Sequence, residues 1–358
     1  MKIGILTFSS AFNYGAVLQA FALRKYISSI DLENEVCIID YNPIYFQKKY
    51  RQPSLLSIIK HSKVKYYLTA WKCYNDLKKK NNAFSRFKSL YFNFGKVEQS
   101  YDYIVLGSDQ IWNKKITGNC LDKYYWGNTY FESSTVISYA ASFGDSLDIK
   151  DIPQVKYNLN HISYISVREK QSAETLNDII HERDVRVVVD PVFLLSKEEW
   201  SAICKPINKR KFIFIYFFGN DEELFDKIEE YAKSNGFDVV YCTTGYCNQP
   251  RYDNTTSPIE FISYIKEASL VITNSFHATA FSLIFGTNFI SIKRQDGNNL
   301  RISNLLLMSN SINLFVDSEV LTHKFIHKII KEKNNSDENL MYAIEKSKEY
   351  LLEIFRKK

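Results

Sequence analysis

Ten short apolar runs, most of them closing on a cluster of polar residues, constrain this chain more than any other feature. They are Lys2–Phe8, Glu35–Asp40, Tyr101–Gly107, Thr135–Ala141, Ile162–Val167, Val185–Val189, Phe212–Phe217, Val239–Thr243, Leu270–Thr273 and Asn288–Ile292. None alternates polar with apolar residues over its length, so each reads as a strand buried on both faces, as in a parallel sheet. Between several of them lie stretches with helical periodicity: Ala16–Ile27, Gln171–Ile180, Glu222–Asn235 and Pro258–Ala268. A strand, polar edge, helix rhythm of this kind specifies a doubly wound α/β fold. At 358 residues two such domains are expected. The rhythm pauses at Asp190-Pro191, where proline breaks the pattern, and restarts at Lys211. The expected organisation is a Rossmann-like domain over 1–190, probed by an acceptor, and a second over 191–334, holding a donor. Residues 335–358 follow as an amphipathic helix (Glu338–Phe355 after the cap cluster Asn335-Ser336-Asp337), free by sequence to return to the first domain. By fold analogy this is the GT-B-like arrangement, two doubly wound Rossmann-like domains facing a cleft.

In open α/β sheets ligands bind outside the carboxyl ends of the strands, so the polar edges are the candidate site. Leu270–Gly297 is the most informative. A strand ends at Asn274-Ser275, both good helix N-caps, and a helix then runs to its stop at Gly286. His277 thereby falls in the first turn, where free backbone N–H groups attract anions. The next strand delivers Lys293 and Arg294 to the same edge. An anion site carrying one imidazole is the expectation; a capped helix with a solvated Lys-Arg end is the plainer alternative. On the first domain, Asn13 follows the first strand and Ser108, Asp109 and Gln110 follow the third. These are candidates for acceptor contacts, with local turn structure as the alternative. The first strand–loop–helix lacks G-x-G-x-x-G, so it carries no dinucleotide fingerprint.

Charge narrows the partners. The chain is net +6, yet Gln47–Leu90 alone holds twelve Lys/Arg against one acid, Asp76, so the remainder is net negative. This basic helical insert, about 47–96 and expected in the first domain, interleaves Tyr66, Tyr67, Trp71, Tyr74, Phe84 and Phe87 with its cations. It is either a solvated insert or a surface for an anionic membrane or acidic polymer. Nucleic acid is not expected, for no helix-turn-helix spacing, RNP motif or zinc finger is present. No window of 18 apolar residues and no secretory leader occurs, and the six scattered cysteines form no C-x-x-C pair. A reduced, cytoplasmic chain is expected, peripheral at the inner face of the plasma membrane if the insert meets lipid, with no metal site.

Six segments in order, FNYGAVLQAFAL (Phe12–Leu23), YDYIVLGSDQIWN (Tyr101–Asn113), YAASFG (Tyr139–Gly144), SVREKQSAETL (Ser166–Leu176), DPVFLL (Asp190–Leu195) and ITNSFHATAFSLIFG (Ile272–Gly286), together resemble the polysaccharide pyruvyl transferase family. The resemblance implies an enzyme that takes phosphoenolpyruvate as donor, without further cofactor. It would form a pyruvate ketal on two hydroxyls of a cell-surface polysaccharide or its lipid-diphosphate-linked oligosaccharide precursor, releasing phosphate. It further implies that Arg168 of the V-R-E segment and His277 of the S-F-H segment hold and activate the donor, helped by Lys293. Relatives often carry Gly where this chain has Ala278. The chemistry suits these residue types: a phosphate and a carboxylate close together need several cations and N–H donors. Ketal formation also needs an acid to protonate C3 while a hydroxyl attacks C2. His277 is that acid or only a phosphate ligand. Asp109 is a candidate base, and Asn274, Ser275 and Arg294 are candidate donor contacts. The competing expectations are a GT-B glycosyltransferase using a nucleotide sugar and a non-catalytic glycan- or membrane-binding protein.

Overall fold

The computed structural model describes the chain except residues 51–66, 128–130, 132, 145–146, 182, 244–251, 298, 333–337 and 357–358. Outside the described residues fall part of the basic insert, Cys247, and the Asn335-Ser336-Asp337 cluster. In chain order the strands and helices begin β1 (Lys2–Leu6), α1 (Tyr14–Ile30), β2 (Glu35–Ile39), α2 (Ile44–Lys49), α3 (Tyr67–Tyr91) and β3 (Phe94–Gly95). Then come β4 (Tyr103–Asp109), β5 (Thr135–Ala141), α4 (Ile152–Leu159), β6 (Ile165–Val167), α5 (Lys170–Ile180) and β7 (Val185–Val187). The second half runs α6 (Lys197–Ser201), β8 (Phe212–Tyr216), α7 (Glu222–Asn235), β9 (Asp238–Cys242), β10 (Tyr252–Asp253) and α8 (Pro258–Glu267). It closes with β11 (Leu270–Thr273), α9 (Phe276–Phe285), β12 (Phe289–Ile292), α10 (Leu300–Met308), β13 (Phe315–Val316), α11 (His323–Lys331) and α12 (Glu338–Phe355).

These elements form two compact units. The first comprises Met1–Tyr50, Tyr91–Leu195 and Glu338–Lys358, the second Arg51–Leu90 and Ser196–Asp337. Chain order suggests the insert belongs to the first domain, but α3 groups with the second unit. Its buried Lys80 donates from Nζ to the Thr243 carbonyl at the end of β9, and an amphipathic helix settles where its apolar face finds cover, whatever its place in the chain.

In the first unit a seven-stranded sheet has the order β3-β2-β1-β4-β5-β6-β7, with every described pair parallel, as in Ile3↔Val36 and Ile3↔Tyr103. In the second a six-stranded parallel sheet runs β10-β9-β8-β11-β12-β13, with Leu270 opposite Ile213. β8 (FIFIY) and β11 (LVIT) are buried at every position, which is the physical meaning of their unbroken apolar runs. Helix ends follow local chemistry: Ser257 and Glu260 close a capping box on α8, and Gly286 stops α9 with φ +70°. Each sheet reverses direction of growth once, between β1 and β4 in the first unit and between β8 and β11 in the second. Those two switch points are where such sheets leave a crevice for ligand.

Candidate active site

In the second unit a cavity of about 600 Å³ opens at the β8/β11 switch point. It is lined by 217–223 after β8, Asn274 after β11, Ile292 at the end of β12 with 293–296 after it, and 318–319 after β13. Lys293 and Arg294 both line it, as the spacing of the two strands requires. Neither cation faces it alone. Lys293 Nζ pairs with Asp317 Oδ2 at 2.8 Å, and Arg294 grips Asp296 by both oxygens, at 3.0 Å from Nε and 2.5 Å from Nη2. The Arg294 guanidinium also lies over the Phe218 ring, 5.0 Å from its centroid. Both ion pairs are half-exposed, a setting in which such pairs contribute only about 0–1 kcal/mol.

Asn274 and Ser275 divide the work expected of them jointly. Ser275 alone caps α9, its Oγ accepting from the Ala278 N–H at 3.5 Å. Asn274 instead clamps the loop after β8: its Oδ1 accepts from the Phe218 N–H at 2.8 Å and its Nδ2 donates to the Phe218 carbonyl at 2.9 Å. That pair of hydrogen bonds across the switch point shapes one wall of the cavity. His277, the second residue of α9, is buried with its ring edge-on to Phe276, centroids 5.2 Å apart. Neither it nor Ser275 is among the residues lining the cavity.

In the first unit Arg168, at the end of β6, is almost fully buried. Its Nε donates to Glu169 Oε1 at 3.0 Å and its Nη1 to Asp190 Oδ2 at 2.8 Å. Burial opposes its charge, but the Glu169, Asp190 and Asp109 carboxylates outweigh that and hold the guanidinium above its ordinary value. Ser142, at the end of β5, donates to the same Glu169 oxygen at 2.8 Å. Sequence reasoning singled out Arg168 and missed this network; Asp190, its partner, lies 22 positions away, and Ser142, which bonds Glu169, lies 26 positions away.

The remaining candidates of this unit gather at the ends of β1 and β4. Asn13 caps α1, its Oδ1 accepting from the Ala16 N–H at 3.2 Å. β4 continues two residues beyond the expected Gly107, so Ser108 is inside the sheet; it is fully buried, its Oγ 3.5 Å from Asp190 Oδ2. Asp109 ends the strand with φ +72°, a left-handed backbone that a non-glycine residue holds only under strain, often at functional sites. Its Oδ1 accepts from the Gln110 N–H at 2.9 Å, and Gln110 Oε1 accepts from Asn113 Nδ2 at 2.7 Å. Gly144 must be glycine here: φ is +79°, and a Cβ would come within 2.5 Å of both amides. Sequence reasoning did not find the aromatic cluster after β2. There Tyr41 and Tyr45 each donate to Asp122 Oδ2, at 2.8 and 2.7 Å. The half-buried Tyr50 phenol is pushed up to about 12 by burial and by the Asp109 carboxylate.

Among the described residues no three His, Cys, Asp or Glu side chains converge as metal ligands, no disulfide joins the described cysteines, and no helix is long and apolar enough to cross a membrane.

Two parallel, doubly wound sheets with polar strand ends define a GT-B-like α/β protein. Solved structures agree on the fold: the UDP-GlcNAc 2-epimerase of Neisseria meningitidis, bound to UDP-GlcNAc, is similar with a TM-score of 0.55 at 11% identity over 99% of this chain and 100% of that one. The UDP-GlcNAc 2-epimerase of Methanocaldococcus jannaschii is similar with a TM-score of 0.53 at 12% identity, covering 99% of each chain. No curated protein sequence matches the chain significantly. A family model does: polysaccharide pyruvyl transferase matches residues 13–296. The chain belongs to that family.

Proposed function

We propose that this enzyme transfers pyruvate from phosphoenolpyruvate to a pair of hydroxyls on a cell-surface polysaccharide or its lipid-linked precursor, forming a ketal and releasing phosphate. The observation that carries the reading is the extent of the family match, 13–296, which encloses every candidate residue from Asn13 to Arg294.

The donor is a dianion or trianion, and the cavity of the second unit offers Lys293 and Arg294 for it; His277, in the first turn of α9, stands outside that lining, so its acid role requires the donor to reach beyond it. Because the pairs with Asp317 and Asp296 are half-exposed and weak, a phosphate can take their place at little cost. His277 donates a proton to C3 of the enol phosphate as one sugar hydroxyl attacks C2. Phosphate then leaves, and the second hydroxyl closes the ketal, each hydroxyl giving up its proton. The first unit carries the acceptor candidates, Asp109 as a base with Asn13 and Gln110 near it and Ser108 buried behind them. The resemblance also gives Arg168 to the donor. Its Nε and Nη1 are held by Glu169 and Asp190, which fix the orientation of the guanidinium at the end of β6.

The test supplies the enzyme with phosphoenolpyruvate and a glycan extract, reading phosphate release and the mass gain of one ketal on the product. UDP-GlcNAc, the ligand of the Neisseria meningitidis structure, serves as the rival donor. Phosphoenolpyruvate should raise the melting temperature and UDP-GlcNAc should not; the reverse pattern refutes the reading in favour of a nucleotide-sugar enzyme. His277→Gln should lower turnover roughly 10²–10⁴-fold with little change in donor affinity. A loss confined to affinity reduces His277 to a phosphate ligand.

A further inference from the structure

The function above leaves α3 unused, and its outward face is one-signed. At 100° per residue, Trp71, Lys72, Lys78, Lys79, Asn82, Ser85, Arg86, Ser89 and Leu90, all exposed, fall within one arc of about 140°. The opposite arc carries the buried residues Lys80, Phe84, Phe87 and Lys88. The helix is thus seated by one face and presents the other. Four cations stand on the presented face, none of them in an ion pair among the described residues. The helix has one acid, Asp76, which lies at the border of the arc and is half-buried. From Trp71 to Leu90 the stripe extends about 28 Å.

We propose that this stripe docks the enzyme on an anionic lipid bilayer, with α3 lying along the headgroups. Charge complementarity argues for an anionic partner, and the two apolar ends argue for lipid over an acidic polymer. Trp71 and Leu90 are 59% and 64% exposed, one at each end of the cationic row. Tryptophan beside cations on a helix face is suited to the membrane–water interface, whereas a polyanion would leave both apolar side chains wet. The proposal goes beyond the transfer reaction and does not depend on it.

Trp71 also supplies the probe. Of four tryptophans, Trp112, Trp126 and Trp200 are at most 1% exposed, so iodide quenching of the full-length protein reports on Trp71. Vesicles of phosphatidylglycerol mixed with phosphatidylcholine should shield Trp71 from iodide and sediment with the protein. Pure phosphatidylcholine should do neither. Binding should vanish in about 1 M salt, where the Debye length is about 3 Å. The fourfold variant Lys72→Gln, Lys78→Gln, Lys79→Gln, Arg86→Gln should bind on the order of several hundredfold more weakly, at about fivefold per cation, with phosphate release on a soluble acceptor unchanged. Should that variant misfold, the single reversals Lys72→Glu and Lys79→Glu carry the same test, each expected to weaken binding by at least about fivefold. Equal binding to both lipid mixtures, full binding by the variants, or capture by soluble alginate without capture by vesicles would each overturn the proposal.

Discussion

At the scale of single residues, Arg168 is the most informative position, because its stability role can be separated from any role in transfer. Its guanidinium compensates two buried carboxylates, Glu169 and Asp190, and truncating one partner of a buried ion group leaves the others charged and dry. Arg168→Met should therefore cost about 3–5 kcal/mol, read as a lowered urea midpoint with an unchanged slope. The double substitution of Arg168→Met with Glu169→Gln should recover part of that loss, since one orphaned charge is gone. If Arg168→Met abolished activity at wild-type stability, the carboxylates would not be what it serves. Sequence made the residue visible through the V-R-E segment of the family resemblance. Its commitment to Asp190 was not visible, because the two lie 22 residues apart and meet only in the folded sheet. The same holds for Lys293, whose partner Asp317 lies 24 residues on, and for Asn274, which reads as a cap and is a clamp. Residue type and strand end are local properties; partners are not.

At the scale of elements, the strand–helix–strand unit around His277 was legible nearly to the residue. Leu270–Thr273 is β11 as expected, α9 has His277 in its first turn and stops at Gly286 as expected, and β12 ends at Ile292. Unbroken apolar runs and capping residues are local signals, and the backbone obeys them. The seat of α3 was not legible, since an amphipathic pattern says that a face is buried without saying on what. Lys80 makes that seat testable. Burial lowers its pKa from the ordinary lysine value, with the nearby Cys242 and Asp253 opposing the shift. Between the lowered folded value and the unfolded 10.5 the unfolded chain binds the extra proton, so stability rises with pH across that window and the cost is gone above it. Lys80→Met should erase this rise: wild-type stability minus variant stability should climb as pH approaches 10.5 and level off beyond. A difference independent of pH, in denaturant titrations across that range, would mean that Lys80 stays charged when buried.

At the scale of the whole molecule, the path of the chain matters more than any one contact. The first unit is assembled from three separated segments, and the last of them, 338–358, follows directly on the second unit in sequence. Its helix α12 buries Leu340, Ile344, Tyr350, Leu351, Ile354 and Phe355. Tyr350 donates from its hydroxyl to the Ser138 carbonyl in β5 at 2.9 Å, and Ser347 Oγ accepts from the Val189 N–H at 2.9 Å. The Phe355 ring meets Tyr103 edge-on in β4, centroids 5.2 Å apart. Burying a large apolar side chain contributes about 1.5–3 kcal/mol, so these six together rival the roughly 5–15 kcal/mol that holds a whole domain folded. Removing 338–358 should therefore unfold or loosen the first unit, from which the helix is distant in sequence, and spare the second, which it adjoins. In hydrogen exchange of the truncated chain, amides of β1, β4 and β5 should lose protection while those of β8, β11 and β12 keep it. Tyr350→Phe should give a graded version, about 1 kcal/mol, with the loss again confined to the first unit. Equal loss in both sheets would show that the two units fold as one cooperative body, and equal retention would show that the seven-stranded sheet stands without its last helix.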